Sequence, residues 1–159
     1  MRTAPRLALS LLAAAWLAGC EKPAQFAPLP TIANSATADG LMLALGLPKR
    51  SLAIGETTQA TVIVRNLTKE PITIPANSSA PYFLRVYRTT PVGWEVTKQY
   101  PQSALMVMSA WKIEPKSEKR FTANLPVEPD WPTGSVRIQV ELNGRPGLRP
   151  GLTVTVTRP

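Results

Sequence analysis

Cys20 is the only cysteine in the chain, and there is no histidine anywhere in its 159 residues. These two facts fix most of the chemistry open to the protein. A thiolate is a nucleophile, but without an imidazole beside it the Cys-His and Ser-His relays are closed, and so is the commonest metal ligand. The remaining nucleophile–base pairing is Ser117 with Lys116 or Lys119. The run Pro115-Lys116-Ser117-Glu118 reads as an exposed turn, where a solvated ammonium is a poor base. Glu128 and Asp130 stand alone in Pro126-Val127-Glu128-Pro129-Asp130-Trp131-Pro132, whereas a calcium loop wants at least about three oxygen side chains at close spacing. Gly144, Gly147 and Gly151 lie among prolines and form no phosphate-cradling loop. The expectation is a protein that is not an enzyme, with no catalytic residues, no metal and no cofactor.

The chemistry of Cys20 follows from what precedes it. Arg2 and Arg6 make a positive start, and Leu7 to Ala18 an apolar run of twelve residues. As a helix that run reaches roughly 18 Å, against a hydrocarbon core of about 30 Å, so it is too short to span. It ends Leu17-Ala18-Gly19-Cys20, which resembles the lipobox of bacterial lipoproteins. The resemblance implies a signal peptide over residues 1–19, diacylglyceryl transfer to the Cys20 thiol, and cleavage between Gly19 and Cys20. It further implies a partner, the membrane, held through a lipid anchor in the cell envelope. Glu21 and Lys22 lack the aspartate that keeps enteric lipoproteins in the inner membrane. In a host with two membranes the resemblance favours the outer one, facing the periplasm.

The chain carries a formal charge of +8, and losing Arg2 and Arg6 with the leader leaves about +6. Nucleic acid is not the expected partner, because glutamates such as Glu95, Glu114, Glu118 and Glu141 interleave with the scattered cations. A weak pull toward anionic lipid headgroups is the expected consequence.

Residues 20–40 hold Pro23, Pro28 and Pro30, several alanines, and neither a helical nor an alternating period. They read as a disordered tether; in polyproline form it would hold the head up to roughly 60 Å from the membrane. From Leu41 the pattern turns to alternation. Leu41, Leu43, Leu45 and Leu47 share a face, as do Ala60, Val62 and Val64; Val136, Ile138, Val140 and Leu142 alternate with Arg137, Gln139 and Glu141. Shorter runs lie at Ile72 and Ile74, Leu84 and Val86, Trp94 to Val96, Leu105 to Met108, Phe121 to Leu125, and Leu152 to Val156. Period two with Pro, Gly or Asn between runs means antiparallel strands buried on one side. The expected fold over 41–159 is all-β, an antiparallel two-sheet sandwich of about seven to eight strands.

Particular residues sharpen this. Gly55-Glu56 precedes a strand ending Val64-Arg65-Asn66-Leu67-Thr68; then come Pro71-Ile72, Ala76-Asn77-Ser78-Ser79, Ile113-Glu114-Pro115, and Gly134 opening a late strand. From Leu41 to Arg158 this order is similar to the immunoglobulin-like domains related to the BsuPI-type intracellular proteinase inhibitor. The resemblance implies an immunoglobulin-like sandwich and, as an alternative function, protease inhibition through an extended loop, with Tyr100 to Leu105 and Leu125 to Gly134 as the segments to consider. Two positions depart from the pattern. Lys116 stands in a turn where such domains carry glycine, and Gly134-Ser135-Val136 replaces Gly-x-Tyr.

Aromatic residues supply most anchor energy at protein interfaces. Trp94 and Trp111 are expected to plug the ends of the core. Trp131, between Asp130 and Pro132 in a proline-stiffened loop, is the first candidate contact with a protein partner, a protease among the possibilities, together with Asp130, Glu128 and Tyr100.

Overall fold

The computed structural model describes residues 26–159. The leader, the cleavage site Gly19–Cys20 and the start of the tether lie outside the described residues.

The strands, in chain order, are β1 (Ile32–Ala38), β2 (Leu41–Leu47), β3 (Ser51–Ala53), β4 (Thr57–Asn66), β5 (Ile72–Ala76), β6 (Tyr82–Thr90), β7 (Gly93–Tyr100), β8 (Ser109–Ile113), β9 (Glu118–Pro126), β10 (Gly134–Leu142) and β11 (Gly151–Thr157). They build an all-β, immunoglobulin-like sandwich. One sheet runs β1-β2-β4-β9, the other β3-β11-β10-β6-β7, and β5 with β8 forms a small third sheet. The alternation explains the core. Leu43 opposite Val64 and Leu45 opposite Val62 face inward from the first sheet, meeting Val86, Ile138 and Val154 from the second, and all are buried.

Two expectations need correction. Among the described residues there are eleven strands, not seven to eight, and β3 pairs with β11 in parallel rather than antiparallel. Three extra strands explain the count. β3 is only three residues long, too short to show a period, while β8 lies just after the Leu105 to Met108 run, which itself forms no strand. The third is β1, inside the expected tether. It pairs along its whole length with β2 through the two-residue Asp39-Gly40 turn, where both residues have positive φ (50° and 71°). That is the backbone of a tight hairpin, and Asp-Gly is among the pairs that adopt it most readily. Asn34 Nδ2 then donates to the Gly151 carbonyl at 2.8 Å, stapling β1 to the opposite sheet.

Residues 26–31 also belong to the head. Ala44 and Ile63 fall on the outer face by alternation, yet both are fully buried. The chain crosses that face as a strap. The Phe26 ring sits 4.8 Å from the Arg65 guanidinium carbon, Arg65 donates to the Ala27 carbonyl, Arg120 donates to the Pro28 carbonyl at 3.4 Å, and Pro30 packs on Gly46.

The turn motifs converge at one end of the sandwich. Asn66 is buried with its amide satisfied: Nδ2 donates to the Glu70 and Ile113 carbonyls (2.7 and 3.1 Å), and Oδ1 accepts from the Thr68 backbone N–H and hydroxyl (2.9 and 2.7 Å). A buried amide is stable only when so paired. Lys116 adopts φ 52° in the neighbouring turn, with its N–H on the Thr68 carbonyl at 3.2 Å. This is the left-handed conformation that glycine adopts most cheaply.

Candidate functional site

In the sheet orders, β7 and β9 are outer strands, and they flank the same open side of the sandwich. What closes that side is aromatic. A bulge at Thr97 shifts the β6–β7 register, so Lys98 and Tyr100 face inward opposite Val86 and Leu84, while Trp94 and Val96 stay on the outer face opposite Thr89 and Tyr87. Tyr100 then reaches across the gap. Its hydroxyl donates to the Pro126 carbonyl at 3.4 Å and accepts from Trp131 Nε1 at 3.0 Å, with the rings tilted and 6.3 Å apart.

The loop carrying Trp131 is clamped further by charge. Lys98 Nζ lies 2.8 Å from Glu128 and 2.5 Å from Asp130, and Gln102 donates to Glu128 at 3.3 Å. The Asp130 hydrogen bond, then that of Glu128, holds the Lys98 ammonium well above its ordinary pKa. The same bond to Lys98 holds the Asp130 carboxyl below the usual carboxylate range. Burial raises the Tyr100 hydroxyl against the opposing hydrogen bond from Trp131.

The structure thus brings Tyr100, Glu128, Asp130 and Trp131 into one cluster, but the role expected for Trp131 is corrected. It is 2% exposed and part of the core, so it is not a contact surface. Proline stiffening holds an indole inward as well as outward, and the inward pose satisfies its N–H. The reverse holds for Trp94, expected inside and found 47% exposed, because the Thr97 bulge turns it out.

Sequence reasoning missed the cleft above this clamp. Between the free edge of β9 and the segment Pro101–Ala104 lies a space of about 610 Å³, walled by Tyr82, Leu84, Tyr100 and Phe121. Tyr82 and Phe121 pack at 5.3 Å, and Trp111 stands edge-on to Phe121 at 6.0 Å. Beside the cleft, Leu105, Met106, Val107 and Met108 are exposed, the two methionines to 88%. Ser79 pins this loop from below: its N–H donates to the Leu105 carbonyl at 2.9 Å, and its hydroxyl accepts from the Leu105 N–H at 3.1 Å. The signal for such a surface was the Leu105-Met106-Val107-Met108 run itself, which has strand composition but no polar alternation to give it a buried face.

The Ser-Lys pairing does not form. The Ser117 hydroxyl donates to the Glu114 carbonyl at 2.7 Å, Lys116 donates to the Leu67 carbonyl, and the Lys119 ammonium sits 5.3 Å over the Trp111 ring. Among the described residues no cluster of acidic side chains could hold a metal ion, and no helix is long and apolar enough to cross a membrane.

No protein-family model matches this chain, and no curated protein matches it in sequence. Among solved structures it is similar to Spo0M, a sporulation control protein from Bacillus subtilis, with 17% identity and a TM-score of 0.50 over 75% of this chain and 50% of that one. The CARDB domain of the PF1109 protein from Pyrococcus furiosus, solved with di-metal ions, is 18% identical with a TM-score of 0.39, over 71% of this chain and 84% of that one. A β-glucosidase from Listeria innocua is matched over 77% of this chain and 16% of its own, at 14% identity and a TM-score of 0.46. This chain spans half the length of Spo0M. At such identities the likeness concerns the fold alone.

Proposed function

We propose that this chain is a lipid-anchored protein of the cell envelope whose β-sandwich head is a non-enzymatic binding or structural module. The observation that carries the reading is Leu17-Ala18-Gly19-Cys20, at the end of an apolar run too short to span, in a chain with no other thiol. One acyl chain holds a protein marginally, while two or three, at about 0.8 kcal/mol per buried methylene, hold it durably. The head then offers a partner the aromatic cleft between β7 and β9, where the outer edge of β9 has no strand beside it. In a host with two membranes, the outer membrane facing the periplasm is the favoured location.

The experiment is replacement of Cys20 by serine, followed by cell fractionation and mass spectrometry of the mature amino terminus. The wild type is expected in membranes with an acylated terminus and the variant in the soluble fraction. A wild-type protein with a free Cys20 thiol and an uncleaved leader would sink the reading.

A second reading is protease inhibition of the BsuPI type. One observation favours it: Pro101–Met108 is an exposed loop that Ser79 holds in place, and an inhibitor needs an exposed but preorganised loop. The other candidate segment, Leu125 to Gly134, is drawn inward by Trp131 and does not share that support. The soluble head assayed against secreted proteases at micromolar concentration tests it, and absence of inhibition removes it.

A further inference from the structure

Where the leash leaves the head decides which surface an anchor would press against the bilayer. The strap puts Phe26 beside Arg65, whose guanidinium also binds Glu118 at 2.8 Å at the start of β9. Only residues 21–25 separate Phe26 from Cys20. Fully stretched, the six virtual bonds from Cys20 to Phe26 reach at most about 22 Å. A domain of this size has a radius of gyration of about 14 Å, so its full width exceeds the leash. The corner at Phe26 is therefore held within about 22 Å of the lipid, nearer than the far end of the head needs to be.

The exposed apolar loop shares that corner. Next to Glu118, Lys119 leans over Trp111, and Ser109 lines the same small pocket as Lys119 and Trp111. Met108 is the residue before Ser109. Leu105, Met106 and Met108 are exposed there to 73%, 88% and 88%. Nearby, β8, the turn after it and the start of β9 carry Lys112, Lys116, Lys119 and Arg120 against Glu114 and Glu118, an excess of positive charge that suits anionic headgroups. Long apolar side chains on a loop tip, with lysines nearby, have the composition of an interfacial insertion.

We infer that Leu105–Met108 dips into the surface of the bilayer that holds the Cys20 lipid, fixing the orientation of the head. The inference rests on the lipid-anchor reading above. Insertion at this corner leaves the β6–β7 hairpin pointing into solution, because Val92 lies beyond the nine residues of β6, roughly 30 Å away. It also sets the β7–β9 cleft close to the lipid surface.

The test uses the full lipidated protein. Cys20 is consumed by the lipid, so Met106→Cys and, separately, Val92→Cys each supply a single thiol for an environment-sensitive fluorophore. Each labelled protein is bound to vesicles of phosphatidylethanolamine and phosphatidylglycerol, floated, and titrated with nitroxide-bearing lipid. The label at position 106 is expected to shift to the blue and to quench at least about twofold more than that at 92, as depth in the headgroup region requires. Protein that floats with both labels equally wet overturns the insertion and leaves the anchor standing; a loop reserved for a protein partner gives that result. Protein that fails to float overturns both.

Discussion

Trp131 Nε1 donates to the Tyr100 hydroxyl at 3.0 Å, joining the loop after β9 to the last residue of β7 across the open side of the sandwich. The indole is buried, so the bond is its only satisfaction there. Tyr100→Phe keeps the ring but orphans the indole N–H, and should cost about 1–3 kcal/mol. Trp131→Ala removes the plug itself and should cost about 3–5 kcal/mol. Urea unfolding at constant m-value measures both. Equal losses for the two variants would mean that the hydroxyl, not the indole, closes the sandwich.

Stability should hold a plateau across neutral pH and fall on both sides. On the acid side, the hydrogen bond from Lys98 depresses Asp130. Burial works to raise Glu118, but its bonds to Arg65 and Arg120 outweigh that and leave it lowered too. A depressed carboxylate stabilises the fold above its unfolded pKa, and the contribution is lost as pH falls through the folded value, below about pH 4. On the alkaline side, burial raises Tyr82 and Tyr100, and Asp130 raises Lys98. Raised groups stabilise fully below their unfolded pKa and lose that contribution above about pH 10. Thermal melts of Asp130→Asn/Glu118→Gln should show a shallower acid limb, and an alkaline limb that loses only the part Asp130 contributes through Lys98 while keeping the part from Tyr82 and Tyr100. An acid limb as steep as the wild type's would place the titrating groups elsewhere.

The strands with a clean period were legible because burial on one face writes itself as alternation: Val136 to Leu142 and Leu41 to Leu47 are the plainest. β1 was not legible. Its inward residues are Ile32, Asn34 and Ala36, and Asn34 is there to bond Gly151 rather than to fill space, so its pattern reads as polar. The Asp39-Gly40 pair was the usable signal, since two residues with that composition between extended segments form a hairpin. The site residues Tyr100, Glu128, Asp130 and Trp131 were found by type, but their direction was not. Whether an indole in a proline-rich loop turns inward depends on Tyr100, thirty-one positions away, and on a bulge at Thr97 that no local pattern announces.

Lys116 holds a left-handed conformation, φ 52°, in the turn between β8 and β9. A β-branched residue there meets steric conflict, so Lys116→Val should destabilise by more than about 1 kcal/mol. Lys116→Gly removes the strain but loosens the unfolded chain, and should fall within about 0.5 kcal/mol of wild type. Chemical denaturation checks the pair. A valine as well tolerated as glycine would mean that the turn re-forms with ordinary φ.

Gly46 is the seat of the strap. A Cβ built on it would lie 2.4 Å from Pro30 Cγ and 2.7 Å from Pro30 Cβ, closer than real carbons approach. Gly46→Val therefore must push Pro30 off the outer face of the first sheet, while the core, on the opposite face, keeps its packing. The expected result is local opening with little loss of global stability. Phe26, followed by Ala27, is a chymotrypsin site within the strap, and cleavage there reports the open population. Each 1.4 kcal/mol of weakened docking raises the rate about tenfold. The release also bears on orientation. With residues 26–31 free, the stretch from Cys20 to Ile32 grows to a reach of roughly 40 Å, more than the width of the head. In the labelled, lipidated protein, Gly46→Val should then abolish the difference in quenching between positions 106 and 92. Cleavage at the wild-type rate would show that Pro30 does not dock on Gly46; faster cleavage with undiminished quenching at 106 would show that the loop holds the bilayer without the strap's help.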